Sequence, residues 1–248
     1  MSEQTEKNNS KREWWEIPAR GSVLLLLILL FIPDPWYRAA YHHTFGRFFR
    51  YTVEERLQDF GEKAHQKLNL KEIPAKLKIL VLKRERRLEL WGEAADGKLS
   101  LIKTLPIIAV NRNSGTKLRE GDKQTPEGDY AIESLHPNSM FYLALRINYP
   151  SEDDKKMAEA DGRSTADLGS DIMLHGTGGS IGCVAITNSA MEQVFYLTAK
   201  VGVENTRILI APFDFRQNPL PEKTEPAWLL ERYRRLETIM KPMVLPER

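Results

Sequence analysis

The most strongly apolar part of the chain is an uninterrupted run of ten hydrophobic residues, Val23–Ile32, which Pro33 closes. A membrane-spanning helix needs about 20 apolar residues, whereas the core of a signal peptide needs about 7–15. No small-residue cleavage site follows the run, and aromatic residues of the kind found at membrane interfaces flank it on both sides. We therefore expect residues 1–40 to be a cytoplasmic tail and an uncleaved signal anchor in the inner membrane. The alternatives are a cleaved signal peptide and a buried core helix.

Apolar residues then recur every three or four positions between Thr44 and Leu70, with charged residues between them. This spacing predicts one amphipathic helix, because 3.6 residues complete each helical turn, and Pro74 is expected to end it. We expect residues 41–75 to form a helical stalk that packs against the domain that follows.

Between residues 76 and 212 the pattern changes to short apolar or alternating runs separated by turn residues, which predicts β-strands. The predicted strands are Leu77–Leu82, Arg87–Trp91, Leu99–Val110, Gly128–Leu135, Phe141–Ile147, Asp171–His175 and Arg207–Ala211. Ser151–Ser170 is expected to be a long loop with one short helix, and Asn188–Val201 a helix capped by its first or second residue. Mostly strands with helices at the margins predict a mainly β, α+β domain.

Beyond the last strand, two prolines mark a linker, and helical spacing returns at about residues 226–240. We assign residues 213–248 to a C-terminal linker and helix. The arginines of this helix, Arg232, Arg234 and Arg235, lie among glutamates, which is typical of a solvent-facing surface.

Composition excludes several classes of function. Thirty-six lysines and arginines against thirty-four acidic residues give a formal charge of +2, so the chain lacks the basic excess typical of nucleic-acid binding. Its only cysteine, Cys183, excludes an internal disulfide and a multi-cysteine metal site, and its five histidines show no metal-binding spacing. We expect no metal, no cofactor and no nucleic-acid partner.

Candidate chemistry lies where a histidine, a glycine-rich turn and the cysteine follow one another. Side chains alternate along a strand, so Ile172 and Leu174 are predicted to face the core and His175 a cleft. The turn Gly176–Gly182 contains four glycines and would return the chain so that Cys183 faces His175. An imidazole in that place can take the thiol proton and release a thiolate nucleophile.

Backbone groups of the same turn could complete a catalytic site. The peptide N–H groups of Gly182 and Cys183 are candidates for an oxyanion hole, and the Gly176 carbonyl is a candidate to orient His175. The alternative is structural, since a lone cysteine is often a small buried apolar residue. The residues alone leave both interpretations open.

Two motifs resemble a known family. His175-Gly176 followed by Ser180-Ile181-Gly182-Cys183 is similar to the signature of the YkuD-type L,D-transpeptidases, in which H-G and a variable loop precede S/T-H-G-C. The segment Gly121–Tyr130, which reads G-D-K-Q-T-P-E-G-D-Y, resembles the family's G-D-x-x-T-P-x-G-x-Y. The resemblance covers about residues 77–211 and implies an L,D-transpeptidase-like β-sandwich catalytic domain with flanking helices at residues 76–212.

The resemblance also implies roles for single residues. Cys183 would be the acyl-accepting nucleophile and His175 its base, while Thr125–Gly128 would be a structural turn. The other implied site residues are the catalytic glycines Gly176 and Gly182 and the substrate-binding residues Ser180, Arg146 and Tyr149.

Three departures refine the resemblance, the first of which is a short loop between His175 and Cys183. Ile181 replaces a second histidine of the common signature, and Ala185 replaces an arginine. A Gram-negative branch with an S-I-G-C motif shares these features, and it includes a hydrolase that detaches a lipoprotein from peptidoglycan. The resemblance therefore implies acyl transfer on peptidoglycan stem peptides through a Cys183 thioester, in the periplasm or cell envelope. Hydrolysis of a diamino-acid linkage, including release of a bound lipoprotein, and a catalytically idle binding protein are the alternatives.

Overall fold

The computed structural model describes residues 50–245. The predicted signal anchor at residues 1–40 and the start of the predicted stalk helix lie outside this range. Between residues 50 and 245, no helix is long and apolar enough to cross a membrane.

Eight strands and four α-helices make up this described part of the chain. The strands are β1 (Lys76–Leu82), β2 (Arg87–Glu93), β3 (Leu99–Ala109), β4 (Gly128–Ser139), β5 (Tyr142–Ile147), β6 (Met173–His175), β7 (Val184–Ile186) and β8 (Thr206–Ala211). The helices are α1 (Val53–Leu68), α2 (Glu152–Ala160), α3 (Asn188–Val201) and α4 (Leu229–Met240). Two short 3₁₀ helices lie at Thr165–Leu168 and Val203–Asn205.

The strands form one closed, barrel-like sheet in the order β1-β2-β3-β7-β6-β5-β4-β8, with β8 returning to β1. The pairs β1–β8 and β6–β7 are parallel, and the other pairs are antiparallel. The mainly β, α+β fold that the sequence predicts is confirmed, and the β-sandwich-type domain takes the form of this barrel.

Strand β1 is apolar almost throughout because both of its faces are covered. Leu77, Ile79 and Val81 belong to a large core cluster that includes the buried residues of α1 and α3. Leu80 and Leu82 point the other way, into a second cluster formed with α4. Alternating side chains of one strand therefore join two separate cores.

Helix α1 is shorter than its apolar spacing predicts. Thr52 begins it with a reciprocal capping box to Glu55, in which each side chain accepts the other's backbone N–H. Asn69 ends it in the left-handed conformation, at a φ of 52°. The prediction that the helix continues to Leu70 and stops at Pro74 is therefore wrong, because the chain reverses at Asn69 first.

Other boundaries also differ from the prediction. Asp171 has a φ of 59°, so β6 begins two residues later than expected. Strand β4 continues to Ser139, four residues beyond its predicted end. Helix α3 has the predicted bounds, but its cap is Thr187, whose hydroxyl accepts the N–H of Ala190 at 3.2 Å.

One side of the C-terminal helix α4 is buried and the other is exposed to solvent. Arg232 is 4% exposed and donates to Asp154 at 2.7 Å, whereas Arg234 and Arg235 stay largely exposed. Leu229, Tyr233, Leu236 and Met240 are buried in the second core cluster. Expecting Arg232 on a solvated face was wrong, since charge pattern alone does not show which side of an amphipathic helix packs.

Candidate active site

The glycine-rich turn joins two strands that lie side by side. Strands β6 and β7 are parallel, with Leu174 opposite Val184 and His175 opposite Ala185. Paired residues of neighbouring strands point to the same side of a sheet, and residues two apart along a strand share a side. Because Leu174 and Val184 enter the core, the opposite side receives His175 and, two residues before Ala185, Cys183.

Two glycines of the turn allow close backbone approach. A Cβ atom on Gly176 would lie 2.6 Å from both the Phe141 carbonyl oxygen and the Asn188 Oδ1 atom. Gly182 has a φ of 108°, and a Cβ there would lie 3.0 Å from the Gln124 carbonyl oxygen. This contact links the two motifs that carry the family resemblance, since Gln124 belongs to the segment Gly121–Tyr130.

His175 is buried, with an exposed fraction of 1%. Its Nδ1 atom lies 2.8 Å from the Gly176 carbonyl oxygen, which can only accept, so Nδ1 carries the proton and a neutral ring has its lone pair on Nε2. Within residues 50–245, Nε2 makes no hydrogen bond. Burial lowers the pKa of His175 below its ordinary value of 6.5, while the Gly176 contact opposes the shift.

Cys183 is half-buried, and its thiol donates to the Asp171 carbonyl at 3.8 Å. Burial raises the pKa of the thiol, and the backbone N–H of Met173 opposes the shift. By the register of β6 and β7, Cys183 falls on the same side of the sheet as His175, and the roles of the two residues stay a prediction. In this conformation, however, the thiol hydrogen bond goes to Asp171 rather than to Nε2 of His175.

Ser180 and Arg146, two of the substrate contacts suggested by resemblance, lie close to this pair. The Ser180 hydroxyl donates to the carbonyl of Cys183 and so closes the turn. Arg146 on β5 forms ion pairs with Asp171 at 3.0 Å and Glu133 at 2.9 Å. Arg146 therefore reaches the site through Asp171, whose carbonyl contacts the cysteine sulfur.

Tyr149, the third suggested substrate contact, is placed differently. The residue is only 4% exposed, and its hydroxyl donates to the carbonyls of Leu168 at 3.2 Å and Lys117 at 3.4 Å. The expectation of a substrate contact does not fit this burial, and Tyr149 instead ties two loops to the core.

The segment Gly121–Tyr130 has the geometry of a scaffold. The Asp122 carboxylate accepts the backbone N–H groups of Leu118, Arg119 and Gln124 at 2.7–3.0 Å. Glu127 is fully buried and pairs with Lys83 at 2.7 Å, while Tyr233 of α4 donates to the same carboxylate. These contacts fit the structural turn that the resemblance implies at Thr125–Gly128.

Several residues around the site were not found from the sequence. Phe141 stacks on His175, with ring centroids 4.4 Å apart, and Asn188 Oδ1 accepts the N–H of Thr177 at 2.8 Å. Periodicity gives no signal for either, because each comes from a different element. Nothing in the described range offers a cluster of three or more His, Cys, Asp or Glu side chains suited to a metal ion.

Residues 76–210 match the family model described as YkuD, L,D-transpeptidase catalytic domain. YafK of Escherichia coli strain K12, whose name marks its L,D-transpeptidase assignment as provisional, is 31% identical over 140 residues. The aligned part is 54% of this chain and 53% of YafK. The chain therefore spans about half the length of the curated relatives that it matches.

Two solved structures also align. The helical cell-shape-determining protein Pgp2 from Campylobacter jejuni aligns with a TM-score of 0.45 and 20% identity, over 62% of this chain and 55% of Pgp2. Bd1075 from Bdellovibrio bacteriovorus gives a TM-score of 0.41 and 26% identity, over 56% of this chain and 48% of Bd1075. The family match itself covers more than half of the chain, from the start of β1 into β8, and includes both motifs. The chain therefore belongs to the YkuD family of L,D-transpeptidase catalytic domains.

Proposed function

We propose that the chain is a cysteine-dependent acyltransferase acting on peptidoglycan stem peptides, with Cys183 as nucleophile and His175 as base. The observation that carries the proposal is the state of His175. Its Nδ1 is held by the Gly176 carbonyl, its Nε2 makes no hydrogen bond in the described structure, and it shares a side of the sheet with Cys183. The family supplies the substrate class, because L,D-transpeptidases act on peptidoglycan.

The first half of the reaction forms a thioester. Nε2 of His175 takes the Cys183 proton as the sulfur attacks the carbonyl carbon of the third stem residue, a diamino acid. The N–H groups of Gly182 and Cys183 are the proposed donors to the resulting oxyanion. When the amide bond beyond that residue breaks, the imidazolium returns its proton to the leaving nitrogen, and the acyl group stays on sulfur.

The second half transfers the acyl group. An amine on a second stem peptide attacks the thioester carbon, neutral His175 takes a proton from that amine, and the Cys183 thiolate leaves and is reprotonated. The product is a cross-link between two stems, and the enzyme returns to its starting state.

A close second candidate is hydrolysis of the same thioester by water. Ile181 stands where the common signature has a histidine and is 76% exposed, whereas Ala185 stands at the usual arginine position and is fully buried. The site therefore lacks two polar side chains of the common signature that could take part in recognising the acceptor. On this alternative the enzyme trims stem peptides or releases a peptidoglycan-linked lipoprotein.

The proposed substrate lies outside the inner membrane, so the proposal includes a periplasmic catalytic domain. The apolar run Val23–Ile32 is the proposed anchor or export signal.

Product analysis separates these functions. The full-length protein is incubated with disaccharide-tetrapeptide muropeptides, alone and with a lipoprotein-linked muropeptide, beside Cys183→Ala and His175→Ala. Cross-linked dimer from the wild type alone supports the transferase, and trimmed monomer or released lipoprotein alone supports the hydrolase. Failure to convert any of these substrates would contradict both functions and favour a binding protein.

A further inference from the structure

The catalytic candidate His175 rests on an aromatic ring from another part of the chain. The rings of Phe141 and His175 have centroids 4.4 Å apart and an interplanar angle of 27°, which is a stacked arrangement. A Cβ atom on Gly178 would collide with the same phenyl ring. Phe141 therefore lies between the imidazole and the glycine-rich turn.

Phe141 is carried by the tight turn between β4 and β5, Ser139–Tyr142. The Ser139 hydroxyl accepts the N–H of Phe141 at 3.1 Å, and the Phe141 carbonyl accepts the N–H of Leu143 at 3.1 Å. Tyr142 has a φ of 79°, a value that non-glycine residues rarely adopt. The turn thus constrains the backbone on both sides of Phe141, whose ring stacks on His175.

The same turn is held from the start of α1. We call Tyr51, Arg56, Pro137 and Asn138 the N-terminal clamp. The Asn138 side chain accepts the N–H of Tyr51 at 2.9 Å and donates to its carbonyl at 2.7 Å, and Arg56 donates to the Pro137 carbonyl at 3.0 Å. The Arg56 guanidinium also lies over the rings of Tyr51 and Tyr142, at 4.1 Å and 5.7 Å from their centroids.

We propose that Phe141 is a positioning residue for His175 and that the N-terminal clamp fixes the turn that carries Phe141. The proposal rests on the proposed function, because it gives His175 the role of base. One hydrogen bond, from Nδ1 to Gly176, fixes the ring at a single point and does not by itself set the plane of the ring. Stacking on Phe141 fixes the ring plane and keeps water off that face, so Nε2 stays directed along one line.

The test uses four substitutions in the full-length chain. Phe141→Leu removes the flat face but keeps an apolar side chain, and Phe141→Tyr restores the ring. Arg56→Met loosens the clamp at a distance from His175. Met140→Ala is the matched control, because Met140 belongs to the same turn but is 83% exposed.

The primary measurement is the NMR titration of His175 labelled at Cε1, assigned with His175→Gln. It is repeated with Cys183→Ala, because Cys183 is a titratable group that directly precedes β7, the strand paired with the strand of His175. Charged groups nearby include Asp171, which precedes β6, its ion-pair partner Arg146 on β5, and Glu192 on α3, which accepts from Tyr142; all four substitutions leave these three residues unchanged.

We expect Phe141→Leu to move the His175 midpoint upward toward about 6.5, because water reaches the ring. With muropeptide substrate, kcat is expected to fall roughly 10- to 100-fold while KM changes less than about twofold. Arg56→Met should raise the His175 midpoint and lower kcat, but by less than Phe141→Leu does. Phe141→Tyr and Met140→Ala should match the wild type in both the midpoint and kcat.

An unchanged His175 midpoint in folded Phe141→Leu would overturn the proposal, as would equal effects of Phe141→Leu and Met140→Ala. Should Phe141→Leu fail to fold, Phe141→Met removes the flat face in its place, and an unchanged His175 midpoint in that variant would overturn the proposal. An Arg56→Met protein whose midpoint and kcat match the wild type would overturn the clamp. The titration needs no turnover. If the wild-type protein has no activity on peptidoglycan, that result contradicts the proposed function. The role of Phe141 is then still tested by the His175 midpoint.

Discussion

At the scale of single residues, burial acts in opposite directions on the two proposed catalytic groups. It lowers the pKa of His175 and raises the pKa of the Cys183 thiol. Both shifts favour uncharged forms, so the resting pair is a thiol beside a neutral imidazole rather than a thiolate beside an imidazolium. The nucleophile is then formed only as His175 takes the proton during attack.

This resting state predicts a particular pH dependence of cysteine labelling. Because Cys183 is the chain's only cysteine, iodoacetamide labelling followed by mass spectrometry reports on it alone. Iodoacetamide reacts with the thiolate, so the labelling rate follows the fraction of Cys183 that is ionised. Because the pKa of Cys183 is raised above the ordinary thiol value of about 8.5, the labelling rate should still be increasing with pH at that value. A rate that levels off near neutral pH would instead show a preformed ion pair and contradict this prediction.

Turnover should depend on pH in the acid range through His175. A lowered pKa means that the imidazole remains neutral, and able to accept a proton, at pH values somewhat below 6.5. The acid limb of kcat/KM is therefore expected to lie below about pH 6.5. Measuring kcat/KM across this pH range tests the direction of the His175 pKa shift. An acid limb whose midpoint lies clearly above pH 6.5 would contradict a lowered pKa.

The sequence predicted part of this residue-level geometry. The contact between His175 and the Gly176 carbonyl follows from adjacent residues, so local reasoning reached it. Phe141 and Asn188 were missed as site neighbours because they reach the turn from other elements. Tyr149 was misplaced because a motif resemblance does not show which way a side chain points.

At the scale of elements, the turn between β6 and β7 is unusually short for its task. Parallel neighbouring strands are ordinarily joined by a crossover of a dozen or more residues, whereas only residues 176–183 lie between these two. The short connection brings the backbone of the turn against Phe141, Asn188 and Gln124. Small residues at the contact points are therefore a steric requirement.

We expect Gly176→Ala to be far more harmful than Gly179→Ala. The added methyl group at Gly176 meets a backbone carbonyl and an anchored side chain at 2.6 Å, whereas nothing lies within 4 Å of a Cβ on Gly179. Forcing a methyl group into such a contact typically costs about 1–3 kcal/mol, and an unhindered surface change about 0.5 kcal/mol or less. Denaturant unfolding and muropeptide turnover measure both effects. Equal behaviour of the two variants would contradict the steric explanation.

Elements with regular patterns were predicted well from the sequence. The alternation and apolar runs of β1, β2, β3 and β8 match the structure within a few residues. The misplaced boundaries at α1 and β6 occur at Asn69 and Asp171, whose left-handed backbones leave no trace in hydrophobic spacing. Left-handed asparagine and aspartate are tolerated more often than other side chains, but their presence alone does not predict that conformation.

At the scale of the whole molecule, a buried polar cluster joins three distant parts of the chain. Lys83 follows β1, Glu127 precedes β4 and Tyr233 lies on α4. The Lys83 and Glu127 side chains are fully buried and 2.7 Å apart, and the Tyr233 hydroxyl donates to Glu127. The segment that contacts Gly182 is thereby fixed to the barrel and to the C-terminal helix.

Removing one member of this pair should be costly, and removing both much less so. Lys83→Met leaves an uncompensated carboxylate in the core, which typically costs about 3–5 kcal/mol, whereas replacing a buried pair by apolar residues is often close to neutral. We therefore expect Lys83→Met with Glu127→Leu to regain most of the lost free energy of unfolding.

A matched control for this prediction lies at the other end of β1. Lys76 pairs with Glu93 at 3.2 Å but is 61% exposed, so Lys76→Met should cost less than about 1 kcal/mol. Denaturant unfolding of Lys83→Met, Glu127→Leu, the double variant, Lys76→Met and the wild type measures each difference in the free energy of unfolding. If the double variant is as unstable as the sum of Lys83→Met and Glu127→Leu, the two residues do not act as a pair.

The sequence predicted the fold class but not the assembly of the molecule. Strand order, including the parallel closure of β8 on β1, depends on contacts between segments that local patterns do not encode. Nothing in the local sequence around Lys83 indicates that it is buried, because its partner Glu127 is 44 residues away. Arg232 was misplaced for the same reason, since its buried partner Asp154 lies on α2.

The central claim, that Cys183 carries the acyl group, is tested most directly by intact-mass spectrometry. The full-length wild type and Cys183→Ala are each mixed with disaccharide-tetrapeptide muropeptide and quenched in acid during turnover. We predict a mass increase equal to the disaccharide-tripeptide acyl group on the wild type only, located on the peptide that contains Cys183. Turnover without this adduct, or the same adduct on Cys183→Ala, would contradict the claim.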